Sequence, residues 1–248
     1  MSPVEPAVLE RKPPATPRAA VTARPGAALG RVRAFWGSTV GKKAVMSASG
    51  LLMVGFVVVH MAGNLQIFEG AARINAYSHF LHHTINELLW LLRVLLLVAV
   101  VLHVTAAVQL TLRDRAARPV GYARQTPQAA TVASRSMRWG GVALALFIVF
   151  HLLHLTTGTI EPVPFAPGDV YANMVGGFRI WWVTLIYVLA MIALGLHIFH
   201  GAWSSIRTLG LSRPRSAPRR RPIAAAIAVL LWAGFSLVPL AIYFGWVR

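Results

Sequence analysis

The stretch IWWVTLIYVLAMIALGLHIFHGAWSSI, Ile180 to Ile206, runs for 27 residues without an Asp, Glu, Lys or Arg. At a rise of about 1.5 Å per residue, a helix of that length exceeds the roughly 30 Å hydrocarbon core of a bilayer. Four further uncharged stretches follow the same rule: Ala44 to Phe68, Val94 to Leu112, Trp139 to Ile160, and Pro222 to Val247. Leu88 to Leu92 extends the second of these outward past Arg93. The expected fold is therefore all-α, an integral membrane bundle of five transmembrane helices over residues 44–68, 88–112, 139–160, 180–206 and 222–247.

A net charge of +17 would suit a nucleic-acid binder, but the placement of the charge argues otherwise. Eight Lys or Arg precede the first span, six lie between Arg113 and Arg138, and six between Arg207 and Arg221. Only Arg73, Arg93, Arg179 and Arg248 fall on the other side. Such asymmetry follows the positive-inside rule, placing the N-terminus in the cytoplasm and the C-terminus outside. Trp36, Trp139 and Trp203 then sit near the inner interface, and Trp90, Trp181, Trp182 and Trp246 near the outer one, the levels that amphipathic indoles favour. The location expected is the cell membrane, with lipid as partner and no nucleic acid.

Residues 1–41 are expected to be a disordered basic tail, rich in Pro, Ala and Arg, leaving 42–248 as the membrane domain. Between the first two spans, Ile74, Tyr77, Phe80, Leu81 and Ile85 recur at helical spacing among Asn75, Ser78, His79 and His82, as in a segment lying along the outer interface. Pro162, Pro164 and Pro167 make the other outer connection a loop. Without cysteine, the chain supplies no thiolate to an iron–sulfur cluster.

An ionisable residue inside a membrane span points to function, and four spans each carry one deep histidine: His60, His103, His151 and His197. His60 and His151 lie eight and nine residues before the outer ends of their stretches; His103 and His197 each lie nine before the inner ends. Each offset corresponds to roughly 12 to 14 Å of helix. Like depths pair His60 with His151 and His103 with His197, an arrangement that would hold one haem near each face. The bland alternative is interhelical hydrogen bonding without a cofactor. His154 and His200 follow three residues after two of these histidines on the same helix faces, and either could replace its neighbour or bond to a propionate or quinone oxygen. Gly55, Gly63, Ala106, Ala107, Gly195 and Gly201 are small residues placed to leave room for a macrocycle.

Secondary candidates lie at both faces. Ser47, Ser49 and Lys43, with Lys42 beside them, could bind a quinone at the inner end of the first span; they equally suit ordinary interfacial and helix-internal positions. Glu69 and Glu87 at the outer face could take protons from a quinol, although exposed interfacial Glu is the simpler reading. Arg93 could pair with an outer propionate or snorkel to the interface. His79, His82 and His83 read as surface histidines.

The chain resembles a known family through several of these pieces: Lys43-Ala44-Val45-Met46-Ser47-Ala48-Ser49-Gly50-Leu51, His60-Met61-Ala62-Gly63-Asn64-Leu65, Asn75-Ala76-Tyr77 with Phe80-Leu81, and His197-Ile198-Phe199-His200-Gly201-Ala202-Trp203-Ser204. They resemble the membrane cytochrome b subunit of succinate dehydrogenase and fumarate reductase in its single-chain, five-helix, diheme form. The resemblance covers most of residues 42–210 and places that family's axial ligands on His60, His103, His151 and His197. It implies two b haems, a quinone substrate expected to be menaquinone, and flavoprotein and iron–sulfur partner subunits on the cytoplasmic side, in a complex that could form a higher oligomer. Electrons from succinate would reduce the membrane quinone in this respiratory complex II. Other readings are the cytochrome b anchor of a hydrogenase or formate dehydrogenase, a haem-free anchor sharing a Rieske-type [2Fe-2S] cluster with partner cysteines, and a transporter. The last is disfavoured because no span contains a carboxylate.

Overall fold

The computed structural model describes residues 27–117, 131–160, 162–211 and 217–248. All regular structure among them is helical: α1 (Ala27–Gly37), α2 (Thr39–Leu65), α3 (Ala71–His79), α4 (Asn86–Ala116), α5 (Val132–Leu155), α6 (Val170–Phe178), α7 (Trp181–Thr208) and α8 (Ala217–Tyr243). Five segments are long and apolar enough to cross a membrane: Thr39–Glu69, Asn86–Ala116, Val132–Leu155, Trp181–Thr208 and Arg219–Tyr243. Large apolar side chains such as Val59, Leu97, Leu146 and Leu230 are more than half exposed on the isolated chain, as expected of a surface that meets lipid rather than water.

The sequence boundaries need three corrections. Residues 27–41 form α1 and the first turn of α2 rather than part of a disordered tail; the remainder of that tail lies outside the described residues. The junction is tight. Ser38 caps α2 by accepting from the Gly41 amide at 2.8 Å, Lys42 Nζ donates to the Trp36 carbonyl, and a Cβ on Gly41 would collide with the Phe35 carbonyl oxygen at 1.9 Å. The third span starts earlier and ends sooner than its uncharged stretch. It includes Arg135 and Arg138 in its first turns, and it closes at Leu155 before Gly158, whose φ of +65° and contact with the Phe165 ring suit a residue without a side chain. Third, the connection expected to be only a loop contains α6, capped by Asp169 accepting from the Ala172 amide.

Between the first two spans the expected interfacial segment is present as α3, continued by a π-helical turn over Phe80–Thr84. It is fastened to α6 by polar contacts. Asn75 Nδ2 donates to Asp169 Oδ1 at 2.9 Å, and its Oδ1 accepts from the Tyr171 amide at 3.0 Å. Tyr171 in turn donates its hydroxyl to the Arg248 carbonyl at 2.7 Å. These contacts close one end of the bundle. Lys42, Lys43, Arg113, Arg115, Arg138, Arg207 and Arg219 to Arg221 lie at the other, basic end.

Helix α2 contacts α4, α7 and α8; α7 contacts α5 and α8. Among the described residues, the pairs α4 with α5, α2 with α5 and α4 with α7 make at most marginal backbone contact. The result is a trough with α2 and α7 as its floor and α4 and α5 as its walls. The principal core lies at the far end, where Ile67, Ile74, Met174, Phe178, Tyr187 and Ile242 are buried together.

Candidate redox site between the helices

The four deep histidines meet in two pairs inside this trough. Towards the far end, the His60 ring on α2 and the His151 ring on α5 have centres 5.9 Å apart with planes at 80°. Towards the basic end, the His103 ring on α4 and the His197 ring on α7 have centres 6.1 Å apart with planes at 56°. These are the pairs that depth along the sequence selects. Each joins two helices whose backbones are at most marginally in contact, so the paired side chains form the main link between them.

The spacing suits a metal between the rings. With metal–nitrogen bonds of about 2.0 Å, two imidazoles on opposite sides of one ion have centres about 6 Å apart, and at a tetrahedral angle they have centres about 5 Å apart. Both pairs match the first value. Ligation through one nitrogen requires the other to be oriented by a neighbour. His103 Nδ1 lies 2.9 Å from the Met46 carbonyl, and His151 Nδ1 lies 3.1 Å from the Tyr187 hydroxyl, so Nε2 is the nitrogen left for a metal in each. His197 Nδ1 is buried without a hydrogen-bond partner in the chain, where buried ring nitrogens ordinarily have one.

The surroundings are aromatic and small. Phe56 stacks on His60 at 5.2 Å, Phe235 approaches the same ring at 5.8 Å, and Phe147 lies 5.8 Å from His151. Gly50 faces His103, where a Cβ would approach Cε1 to 3.1 Å, and Gly141 faces His197 at 3.8 Å. Of the small residues singled out by sequence, Gly63 instead admits the Tyr77 ring and Gly195 admits Trp232, while Gly55 and Gly201 face open space. A shallow cleft of about 180 Å³ between α5 and α7 reaches His197, lined by Met137, Gly140 and Leu196 among others. Among the described residues, no group of three or more His, Asp, Glu or Cys is assembled to hold a bare ion.

The two trailing histidines occupy other places. His154 is wholly buried and stacks on Phe150 at 5.6 Å, with its Nδ1 2.9 Å from the Tyr187 hydroxyl. The His200 ring contacts Trp203 on its own helix at 5.4 Å. Tyr187 is the residue that the sequence reading missed. It lies seven residues into the fourth uncharged stretch, within two residues of the depth of His151 counted from the same face, so depth along the helix was a signal for it.

The remaining candidates divide by exposure. Ser47 and Ser49 are buried, but the Ser49 hydroxyl donates to the Val45 carbonyl at 2.7 Å, within its own helix, and is 3.4 Å from His103 Nδ1. Lys43 is exposed; Lys42 is the buried lysine, and it is engaged with Trp36. Arg93 turns to the interfacial segment, 3.1 Å from His82 Nε2 and over the Trp90 ring. This is the snorkelling arrangement rather than one aimed at the His60 and His151 layer. Glu69 forms an exposed ion pair with Arg73 at 3.3 Å, and Glu87 is exposed in the first turn of α4. His79 and His83 stack on one another at 4.2 Å in the interfacial segment.

Five helices long and apolar enough to cross a membrane, with two imidazole pairs between them, define a multi-pass membrane protein. Residues 115–237, about half of the chain, match the family described as succinate dehydrogenase/fumarate reductase transmembrane subunit. The chain belongs to that family, whose members anchor the dehydrogenase complex in the membrane. No curated protein and no solved structure matches the chain.

Proposed function

We propose that this membrane anchor carries electrons from the iron–sulfur subunit of its complex to a membrane quinone through two b haems, held by His60 with His151 and by His103 with His197. The observation that carries this reading is the pair of ring separations, 5.9 and 6.1 Å, each between helices with at most marginal backbone contact. When bound, haem supplies one-electron transfer at a potential set by its axial ligands and their hydrogen bonds. The chain's own contribution is to fix the imidazoles: Met46 orients His103, Tyr187 orients His151, and the aromatic rings around His60 keep that layer dry. A Rieske-type cluster would need two thiolates besides two imidazoles, and this chain has no cysteine to supply them.

The positive-inside rule orients the basic end towards the cytoplasm, where the flavoprotein and iron–sulfur subunits would dock against Arg113, Arg115, Arg138 and Arg207. The His103 and His197 pair is then nearest to the incoming electron. Ser47, buried at the same end of α2, stays the better polar candidate for a quinone oxygen, since the Ser49 hydroxyl is already bonded. Menaquinone is the substrate implied by the family resemblance.

Succinate added to membranes containing the complex tests the reading. A b-type absorbance that succinate reduces and added quinone reoxidises is expected. A complex that passes electrons to quinone without any such signal would overturn it.

A further inference from the structure

Tyr187 joins the two histidines of α5 through one hydroxyl. Its oxygen is 3.1 Å from His151 Nδ1 and 2.9 Å from His154 Nδ1. The ring is fixed from three sides by Phe147, Phe178 and Phe150, with centres at 5.0, 4.7 and 6.0 Å, and it is only 6 % exposed. The ring is thereby held with its oxygen between the two imidazoles.

Counting protons gives the direction of each bond. A neutral imidazole that ligates through Nε2 carries its proton on Nδ1, so His151 donates to the Tyr187 oxygen. The hydroxyl has one proton to give, and His154 Nδ1, 2.9 Å from the oxygen, is placed to accept it. The order is His151 to Tyr187 to His154, and each bond polarises the next. A tyrosine oxygen that is itself donating is a stronger acceptor than one that is not.

We infer that Tyr187 is a positioning residue for the outer haem: it selects His151 over His154 as the axial ligand and sets that haem's potential by accepting the His151 Nδ1 proton. The inference rests on the outer-haem reading given above. His154 is kept from the ligand position by the same bond, by its stacking on Phe150 at 5.6 Å, and by Gly177, where a Cβ would come within 2.6 Å of Nε2. An axial imidazole that donates to an oxygen is more basic and favours the oxidised iron. Loss of the hydroxyl should raise the outer midpoint.

The test is a redox titration of the detergent-extracted complex, following absorbance, with the outer component identified as the one missing in His60→Ala. Tyr187→Phe keeps both haems and raises the midpoint of the outer one, leaving the inner unchanged. His154→Phe weakens the acceptor without removing it and gives a smaller rise in the same haem, which carries the test if Tyr187→Phe yields no complex. An unshifted outer midpoint in Tyr187→Phe, or outer haem retained in His151→Ala and lost in His154→Ala, overturns the inference. Wild-type complex without an outer haem refutes the underlying reading instead.

Discussion

The His103 and His197 rings stand 6.1 Å apart on helices α4 and α7, whose backbones are at most marginally in contact. The pair is supported from α2 on the His103 side, by the Met46 carbonyl and by Gly50, and from α5 on the His197 side, by Gly141. All four helices of the trough thus contribute to one pair.

Gly50 should be intolerant of a side chain for that reason. A Cβ at this position would approach His103 Cε1 to 3.1 Å, and overpacking of this kind costs about 1–3 kcal/mol. Gly50→Ala is expected to displace the His103 ring and lower the content of the inner haem, with the outer haem retained. Absorbance spectra of the purified variant check this, and equal loss of both haems would count against a local effect.

The clamp between α3 and α6 should open in acid. The Ala172 amide, the Asn75 side-chain amide and the Tyr171 amide hold Asp169 below the ordinary carboxylate range, against a smaller opposing effect of burial. A carboxyl with a depressed folded pKa contributes stability that is present above its unfolded value, about 4, and is lost as pH falls through the folded value. Hydrogen exchange in α6 should therefore accelerate as pH is lowered through and below about 4, after correction for intrinsic rates. In Asp169→Asn that acid dependence should be absent while exchange near neutral pH is already faster.

Glu87 should be dispensable for turnover. It is exposed in the first turn of α4, and the four paired histidines lie within the trough. Glu87→Gln is expected to leave quinone reduction and its pH profile within experimental error of wild type. A lost acidic limb would assign this carboxylate to proton transfer after all.

The fold was legible because uncharged length and basic flanks report directly on a bilayer. Helical rise alone also brought His60 to His151 and His103 to His197, since depth in a membrane orders residues on different helices along one axis. Features set by local packing escaped that argument. The end of α5 depends on a turn at Gly158 against Phe165, and uncharged composition does not mark it. Helix α6 forms on Asp169 as cap and Asn75 as a distant partner, 94 residues away in sequence. Azimuth around the helix was invisible as well, and it decides that Lys42 is buried while Lys43 is exposed, and that His154 meets Phe178 in an aromatic core.

Pyridine haemochrome quantitation of the detergent-extracted complex, per chain, is the most direct measurement of the central claim. The account predicts two b haems in the wild type and one in His60→Ala, in His151→Ala, in His103→Ala and in His197→Ala, with both retained in His200→Ala. A wild-type complex with succinate to quinone activity and no haem, or single-histidine variants that keep the wild-type haem content, would contradict it.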